Sequence, residues 1–210
     1  MKQSKQKKLI FWMTKILYLH GFASAADSTK ANLITSFVKK NTSSTQILVP
    51  DLDNDIENAY HQIDEIIKLE SPSSIIGSSL GGFYATYFSD KYKLFCVNIN
   101  PAVPPIDMSE YLGENQNYST GEKFVINKVH LNLLGEMSKK IKVLKRPGNF
   151  MTLIQSGDEV LDYKLAIRYF AGGQIEIKFG GNHSFEGFEN YFPKIKLFLN
   201  MHWYSAIFNK

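Results

Sequence analysis

Apolar residues in this chain fall into two alternating patterns. One is a short continuous run bounded by polar or turn-forming residues, at 15–19, 46–49, 74–76, 93–99, 151–155 and 174–179. Such runs read as strands buried on both faces. The other is a longer stretch with apolar positions three or four apart: Leu33, Ile34, Phe37 and Val38, then Ile56, Ala59, Tyr60, Ile63, Ile66 and Ile67. It recurs over 80–88, over 163–170, and at Phe188, Tyr191, Phe192, Ile195, Phe198 and Leu199. That spacing predicts helices with one face on a sheet. Strand and helix alternate throughout, which predicts a mostly parallel sheet of about six strands with helices on both faces. Residues 102–147 break the rhythm, carrying Pro104-Pro105 and Pro147 and no clean strand. They are expected to form a small cap insertion within one domain spanning 14–210, because loops at the C-terminal edge of such a sheet carry function.

The third strand ends in Gly77-Ser78-Ser79-Leu80-Gly81, and a helical pattern follows at once. G-x-S-x-G between strand and helix is the signature of a nucleophile elbow. The turn is so tight that a Cβ at 77 or 81 would collide with neighbouring backbone, and Ser79 is pushed to the apex. Its hydroxyl needs a base to become a nucleophile. His183, in Gly180-Gly181-Asn182-His183-Ser184 after the last strand, is the candidate. Asp158 is the first carboxylate after strand five and is the candidate to orient that histidine, with Glu159 and Asp162 as rivals. Asp162 equally suits the cap of the following helix. Serine, acid, histidine is the chain order of the α/β-hydrolase triad, unlike the orders of chymotrypsin and subtilisin. His61, His130 and His202 are expected to be solvated side chains. His20 is expected to hydrogen-bond within the loop after the first strand, and Ser78 to pack beside the elbow.

Charge and composition remove other classes. The net charge of +4 invites a nucleic-acid reading. Lys2, Lys5, Lys7 and Lys8 account for it, since from residue 14 onward 20 basic residues face 20 acidic ones. The basic balance therefore belongs to a tail, residues 1–13, expected to be disordered. Its apolar stretch, residues 9–13, is shorter than the roughly 7–15 residues of a secretory core, and far shorter than the ~20 of a membrane span. The single cysteine, Cys96, sits in an apolar run and cannot form an internal disulfide, which fits a reducing cytoplasm. Ser119-Thr120-Gly121-Glu122-Lys123 lacks phosphate-loop spacing, and no Cys/His cluster has zinc spacing. No cofactor, metal or nucleic-acid partner is expected. The basic run Lys139, Lys140, Lys142, Lys145 and Arg146 is expected to face solvent, the alternative being contact with an acidic substrate moiety such as the phosphates of an acyl-CoA.

Five segments together resemble the YqiA-type bacterial esterases, which are small α/β hydrolases. They are Ile16-Leu17-Tyr18-Leu19-His20-Gly21-Phe22, the elbow through Thr86, Asn100-Pro101-Ala102-Val103, Gly157-Asp158-Glu159-Val160-Leu161-Asp162-Tyr163, and Gly180 through Phe188. Tyr111-Leu112-Gly113-Glu114-Asn115 through Glu122 is similar to that family's cap. The likeness covers roughly 14–200. It implies the α/β-hydrolase fold and a serine hydrolase that cleaves acyl esters through Ser79, His183 and Asp158, by way of an acyl-enzyme. It also implies an oxyanion hole built from the N–H groups of Phe22 and Leu80. The expected partner is a small acyl ester or thioester. An acyl-CoA thioesterase and a catalytically silent binding protein on the same scaffold are the alternatives, and oligomeric state stays open.

Overall fold

The computed structural model describes residues 14–201. The expected disordered tail and His202 lie outside the described residues. In chain order the elements are β1 (Thr14–Leu19), α1 (Thr29–Asn41), β2 (Thr45–Leu48), α2 (Ile56–Glu70), β3 (Ser74–Ser78), α3 (Leu80–Tyr92) and β4 (Phe95–Ile99). They continue with β5 (Gly113–Gln116), β6 (Lys123–Ile126), α4 (Lys128–Lys140), β7 (Phe150–Gln155), α5 (Tyr163–Tyr169), β8 (Gln174–Lys178) and α6 (Phe192–Phe198).

Six strands form one sheet in the order β2-β1-β3-β4-β7-β8. Every neighbouring pair is parallel. Parallel strands need crossovers, and the crossovers cover both faces. Successive side chains along a strand alternate between the faces. Leu17, Leu19, Ile75, Cys96, Phe150 and Ile154 therefore face the layer of α2, α3, α4 and α5. Ile16, Tyr18, Ile76, Val97, Met151 and Leu153 face α1 and α6. α3 is buried from Leu80 through Asp90, as a helix that is apolar nearly all round should be. α2 is amphipathic and capped, with Asp55 Oδ1 accepting from the N–H groups of Glu57 and Asn58 at 2.9 and 3.0 Å.

The order of strands decides where a site can form. From β1 the chain crosses outward to β2, then returns past β1 to β3. Connections leave in opposite directions at this point, so a crevice opens above the C-terminal ends of β1 and β3. The His20-Gly21-Phe22 loop and the Ser79 turn are the two segments that leave those ends.

Three expectations are corrected. Residues 102–147 do contain strands: β5 and β6 pair antiparallel as a hairpin. β5 is Gly-Glu-Asn-Gln and largely exposed, so it lacks the apolar signature on which strand prediction depends. The last helical stretch is divided. A 3-10 turn, Phe188–Tyr191, precedes α6, which has Pro193 in its first turn. Proline cannot donate to the carbonyl four residues back, so a single helix cannot run through it. His130 is not solvated but 3% exposed. Its Nδ1 accepts from the N–H of Asn127 at 3.4 Å, and its Nε2 lies 2.9 Å from Asp55 Oδ2. It thereby ties the start of α4 to the start of α2.

Candidate active site

The turn after β3 is built by exclusion of side chains. A Cβ on Gly77 would run into the carbonyl of Gly81, and one on Gly81 into the carbonyl oxygens of Leu19 and His20. Close approach of three backbone segments leaves Ser79 with φ 56° and ψ −123°. A non-glycine residue held there stores about 1–3 kcal/mol of strain, which the surroundings must oppose. They do so through the main chain. The N–H of Ser79 donates to Ile99 O at 3.1 Å, and its carbonyl accepts from Gly82, Phe83 and Ala102 at 2.9–3.2 Å. Ser79 stands half-exposed while Ser78 is buried at the end of the strand.

Ser79 Oγ lies 3.0 Å from His183 Nε2. His183 Nδ1 lies 2.9 Å from both carboxylate oxygens of Asp158. Three side chains from the ends of β3, β7 and β8 thus form one hydrogen-bonded line, with Asp158 2% and His183 22% exposed at the side chain. Burial pushes the Asp158 carboxyl up, but hydrogen bonds from His183 and from the N–H groups of Leu161 and Val160 outweigh it and hold the group below its ordinary value. Those two N–H groups donate to Oδ1 at 2.8 and 2.9 Å. An ionised carboxylate here favours the tautomer with hydrogen on Nδ1, which leaves Nε2 free to accept from the serine hydroxyl.

The rival carboxylates have other work. Asp162 caps α5, accepting from the N–H of Lys164 at 2.9 Å. Glu159 accepts the main-chain N–H of His183 at 2.9 Å, so it holds the histidine's backbone rather than its ring. His20 is 4% exposed. Its Nδ1 lies 3.0 Å from Gly21 O, and its Nε2 accepts from the N–H of Leu52 at 2.9 Å. Burial pushes its pKa down. It braces the loop after β1 and does not reach the cleft.

That loop brings backbone against the serine. A Cβ built on Gly21 would sit 3.2 Å from Ser79 Cβ. Neither the N–H of Phe22 nor that of Leu80 donates to a protein acceptor among the described residues. Leu80 is the first residue of α3, where N–H groups have no intrahelical partner and the helix dipole is positive.

Two buried carboxamides position the histidine loop, and sequence reading missed both. Asn100 Nδ2 donates to the carbonyls of Asn182 and His183 at 3.0 and 3.2 Å, and its Oδ1 accepts from the N–H of Gln155 at 2.9 Å. Gln155 Oε1 accepts from the N–H groups of Asn182 and Glu186, each at 3.0 Å, and its Nε2 donates to Glu186 O at 2.7 Å. The only hint in the chain was two polar residues closing otherwise apolar strands.

The cleft beside Ser79 has a volume of about 360 Å³. Phe22, Tyr111 and Tyr118 line one part of it. Phe22 packs against Tyr111 with the rings tilted by 57° and their centroids 4.9 Å apart. From the segment 102–147, Tyr111 and Tyr118 line the cleft. Ile126 is 1% exposed and lies in the core. Asn117 fastens this segment to the loops after β1 and β2, its Nδ2 donating to Ser24 O at 2.9 Å and to Asn54 Oδ1 at 2.8 Å. The five residues of the basic run are absent from the cleft wall, and Lys145 pairs with Asp90 at 2.8 Å. No group of three or more His, Cys, Asp or Glu residues could hold a metal ion among the described residues. None of the described helices is long and apolar enough to cross a membrane.

Sheet order, crossovers and elbow together define an α/β-hydrolase fold. Solved structures with this fold superpose over nearly the whole chain. Est1E from Butyrivibrio proteoclasticus, solved with ferulic acid bound, is 12% identical with a TM-score of 0.64, covering 93% of this chain and 92% of that one. Mouse alpha/beta hydrolase domain-containing protein 10 is 14% identical with a TM-score of 0.63, covering 87% and 89%. The esterase domain of a Rhodothermus marinus protein is 16% identical with a TM-score of 0.60, covering 92% and 88%. The chain itself belongs to the Uncharacterised protein family (UPF0227), whose model matches residues 15–200. This is the YqiA family that the sequence motifs resemble.

Proposed function

We propose that this protein is a carboxylic ester hydrolase that works through an acyl-enzyme on Ser79. The observation that carries the reading is the unbroken line from Ser79 Oγ to His183 Nε2 at 3.0 Å and from His183 Nδ1 to Asp158 at 2.9 Å. These are the separations that general-base activation of a hydroxyl requires. The esterase domain among the similar folds agrees with it.

In this mechanism Ser79 Oγ attacks the ester carbonyl carbon as His183 Nε2 takes its proton. The carbonyl π electrons move onto oxygen. Charge on that oxygen is met by the N–H groups of Leu80 and Phe22. Such donors contribute most when fixed in advance in a site that excludes water. The tetrahedral intermediate collapses, the carbon–oxygen bond to the alcohol breaks, and the imidazolium of His183 protonates the departing oxygen. Water, deprotonated by the same nitrogen, then attacks the acyl-serine. The acid leaves and Ser79 regains its proton. Asp158 orients the ring and stabilises the imidazolium without itself becoming protonated.

A fluorophosphonate probe tests this directly, alongside turnover of a series of p-nitrophenyl esters. Wild type should label at Ser79 and hydrolyse short esters. A protein that neither labels nor turns over any ester is a binding protein on a hydrolase scaffold, and the proposal fails.

A further inference from the structure

One wall of the cleft holds polar groups that the mechanism above does not use. Tyr18 is fully buried, with 0% exposure, and its hydroxyl lies beside that of Ser28 and meets no other polar partner among the described residues. Ser28 Oγ is buried and likewise meets nothing but the Tyr18 hydroxyl among the described residues. Ser28 stands at the N-cap position of α1, but its side chain accepts nothing from the helix, and the first turn of α1 contains no acidic residue. Lys30 lies in the same turn. Its Nζ donates to the carbonyl of Ser184 at 3.0 Å, and no carboxylate lies within 4.0 Å of it among the described residues. Tyr18, Ser28 and Lys30 all line the cleft that holds Ser79 and His183, and Lys30 is the one lysine, arginine, aspartate or glutamate in that lining.

Buried hydroxyls that meet only each other leave one O–H proton and several lone pairs without a partner. Two in one wall, with an ammonium and the positive end of a 13-residue helix, describe a place prepared for acceptor oxygens that arrive with a ligand. Burial lowers the pKa of Lys30, with the nearby Asp158 charge opposing the shift. An ammonium partly stripped of water, with no carboxylate partner, attracts an anion more strongly than a solvated one does.

The side of the cleft also follows from the chemistry. The departing oxygen must take its proton from His183 Nε2, so the alcohol leaves on the histidine side. Ser184, whose carbonyl holds Lys30, is the residue directly after His183.

We propose that Tyr18, Ser28 and Lys30 form an anion-recognising subsite for the leaving group, so that the preferred substrates are esters of alcohols bearing a carboxylate or phosphate. This rests on the ester-hydrolase reading above. In it Lys30 Nζ meets the anion, and the Tyr18 and Ser28 hydroxyls donate to its remaining lone pairs.

The test is a matched pair of aryl acetates, 3-acetoxybenzoate and its neutral isostere 3-acetoxybenzamide, compared by kcat/KM at neutral pH and low ionic strength. Wild type should prefer the carboxylate about tenfold or more. Lys30→Met should bring the charged-to-neutral ratio to about one, mainly through KM for the benzoate, and Lys30→Arg should restore most of the preference. Tyr18→Phe and Ser28→Ala should each lower the ratio a few-fold. The phosphate case is read from 3-acetoxyphenyl phosphate in the same assay, and preference for either anion over the amide supports the proposal. Wild-type turnover with no preference for either anion overturns it while leaving the hydrolase reading intact. So does a Lys30→Met variant slowed equally on charged and neutral esters, because Lys30 would then only prop the histidine loop. Absence of turnover together with absence of fluorophosphonate labelling brings down both readings.

Discussion

The turn at Ser79 and the loops that carry Asp158 and His183 meet in one site but are held by opposite means. The Ser79 turn is shaped by main chain against main chain. Glycines at 77 and 81 let three backbone segments touch, and four main-chain hydrogen bonds to Ser79 oppose its strained φ. The Asp158 and His183 loops lean on side chains that come from other strands. Asn100, at the end of β4, and Gln155, the last residue of β7, hold the chain around His183 by its amides and carbonyls. The first arrangement is encoded within five residues and tolerates little substitution. The second is spread over residues 27 to 83 positions apart in the chain, and its failure is graded. A site assembled from both should lose its nucleophile all at once but its base by degrees.

The sharpest test of the comparison is at the turn. Ser79→Ala should lower ester turnover by on the order of 10⁶-fold, as loss of the nucleophile does in subtilisin. Ser78→Ala should cost far less, because Ser78 is buried in the strand. Steady-state kinetics on both variants decides it, and a larger loss at Ser78 would reassign the apex.

Next in size is the acid. Asp158→Asn should lower kcat by about 10³–10⁴-fold by favouring the wrong histidine tautomer. Asp162→Asn should cost about 1 kcal/mol of stability or less, because asparagine still caps a helix. A pH series adds a second readout. The folded-state pKa of Asp158 is lowered, so its contribution to stability is present above the ordinary carboxylate range and is lost as pH falls through the depressed value. The gap in melting temperature between wild type and Asp158→Asn should therefore narrow below about pH 4. A gap that persists unchanged in acid would show that the carboxylate is not held ionised by its partners.

A smaller effect is expected from the props. Gln155→Leu leaves two N–H donors and a carbonyl without their partner. At about 1–3 kcal/mol for each such group, a loss of roughly 3 kcal/mol is expected in denaturant titration. Turnover should fall about 10–100-fold as His183 drifts from the serine, whereas fluorophosphonate labelling of Ser79 should slow without vanishing. Equal loss of both stability and labelling, as in an unfolded protein, would instead make Gln155 a core residue alone.

The mildest prediction concerns the cleft wall from residues 102–147. Tyr118 is 82% exposed, and Tyr111 packs on Phe22. Tyr118→Ala should leave melting temperature within about 1 °C, since exposed positions away from special features change stability by ~0.5 kcal/mol or less. It should shift acyl-length preference by a few-fold across a p-nitrophenyl ester series. Unchanged preference in Tyr118→Ala and Tyr111→Ala together would remove this segment from the acyl pocket.

What could be read from the chain alone was whatever depends on near neighbours. Apolar runs and helical spacing marked all six strands of the parallel sheet, because strands buried on both faces have nowhere to put polar residues. Gly77 and Gly81 marked the turn, because only a missing Cβ allows three backbones to touch. The choice among Asp158, Glu159 and Asp162 was left to the fold. All three lie within five residues and share one chemistry, and only the position of His183, brought beside them by β8, separates them. The β5–β6 hairpin was hidden for the related reason that an exposed strand carries no apolar signal. The burial of His130 depended on a partner at Asp55, 75 residues earlier in the chain. Asn100, Gln155, Tyr18 and Ser28 look like ordinary polar residues until the sheet closes around them, because the meaning of a buried polar group lies in which distant atoms it does or does not meet.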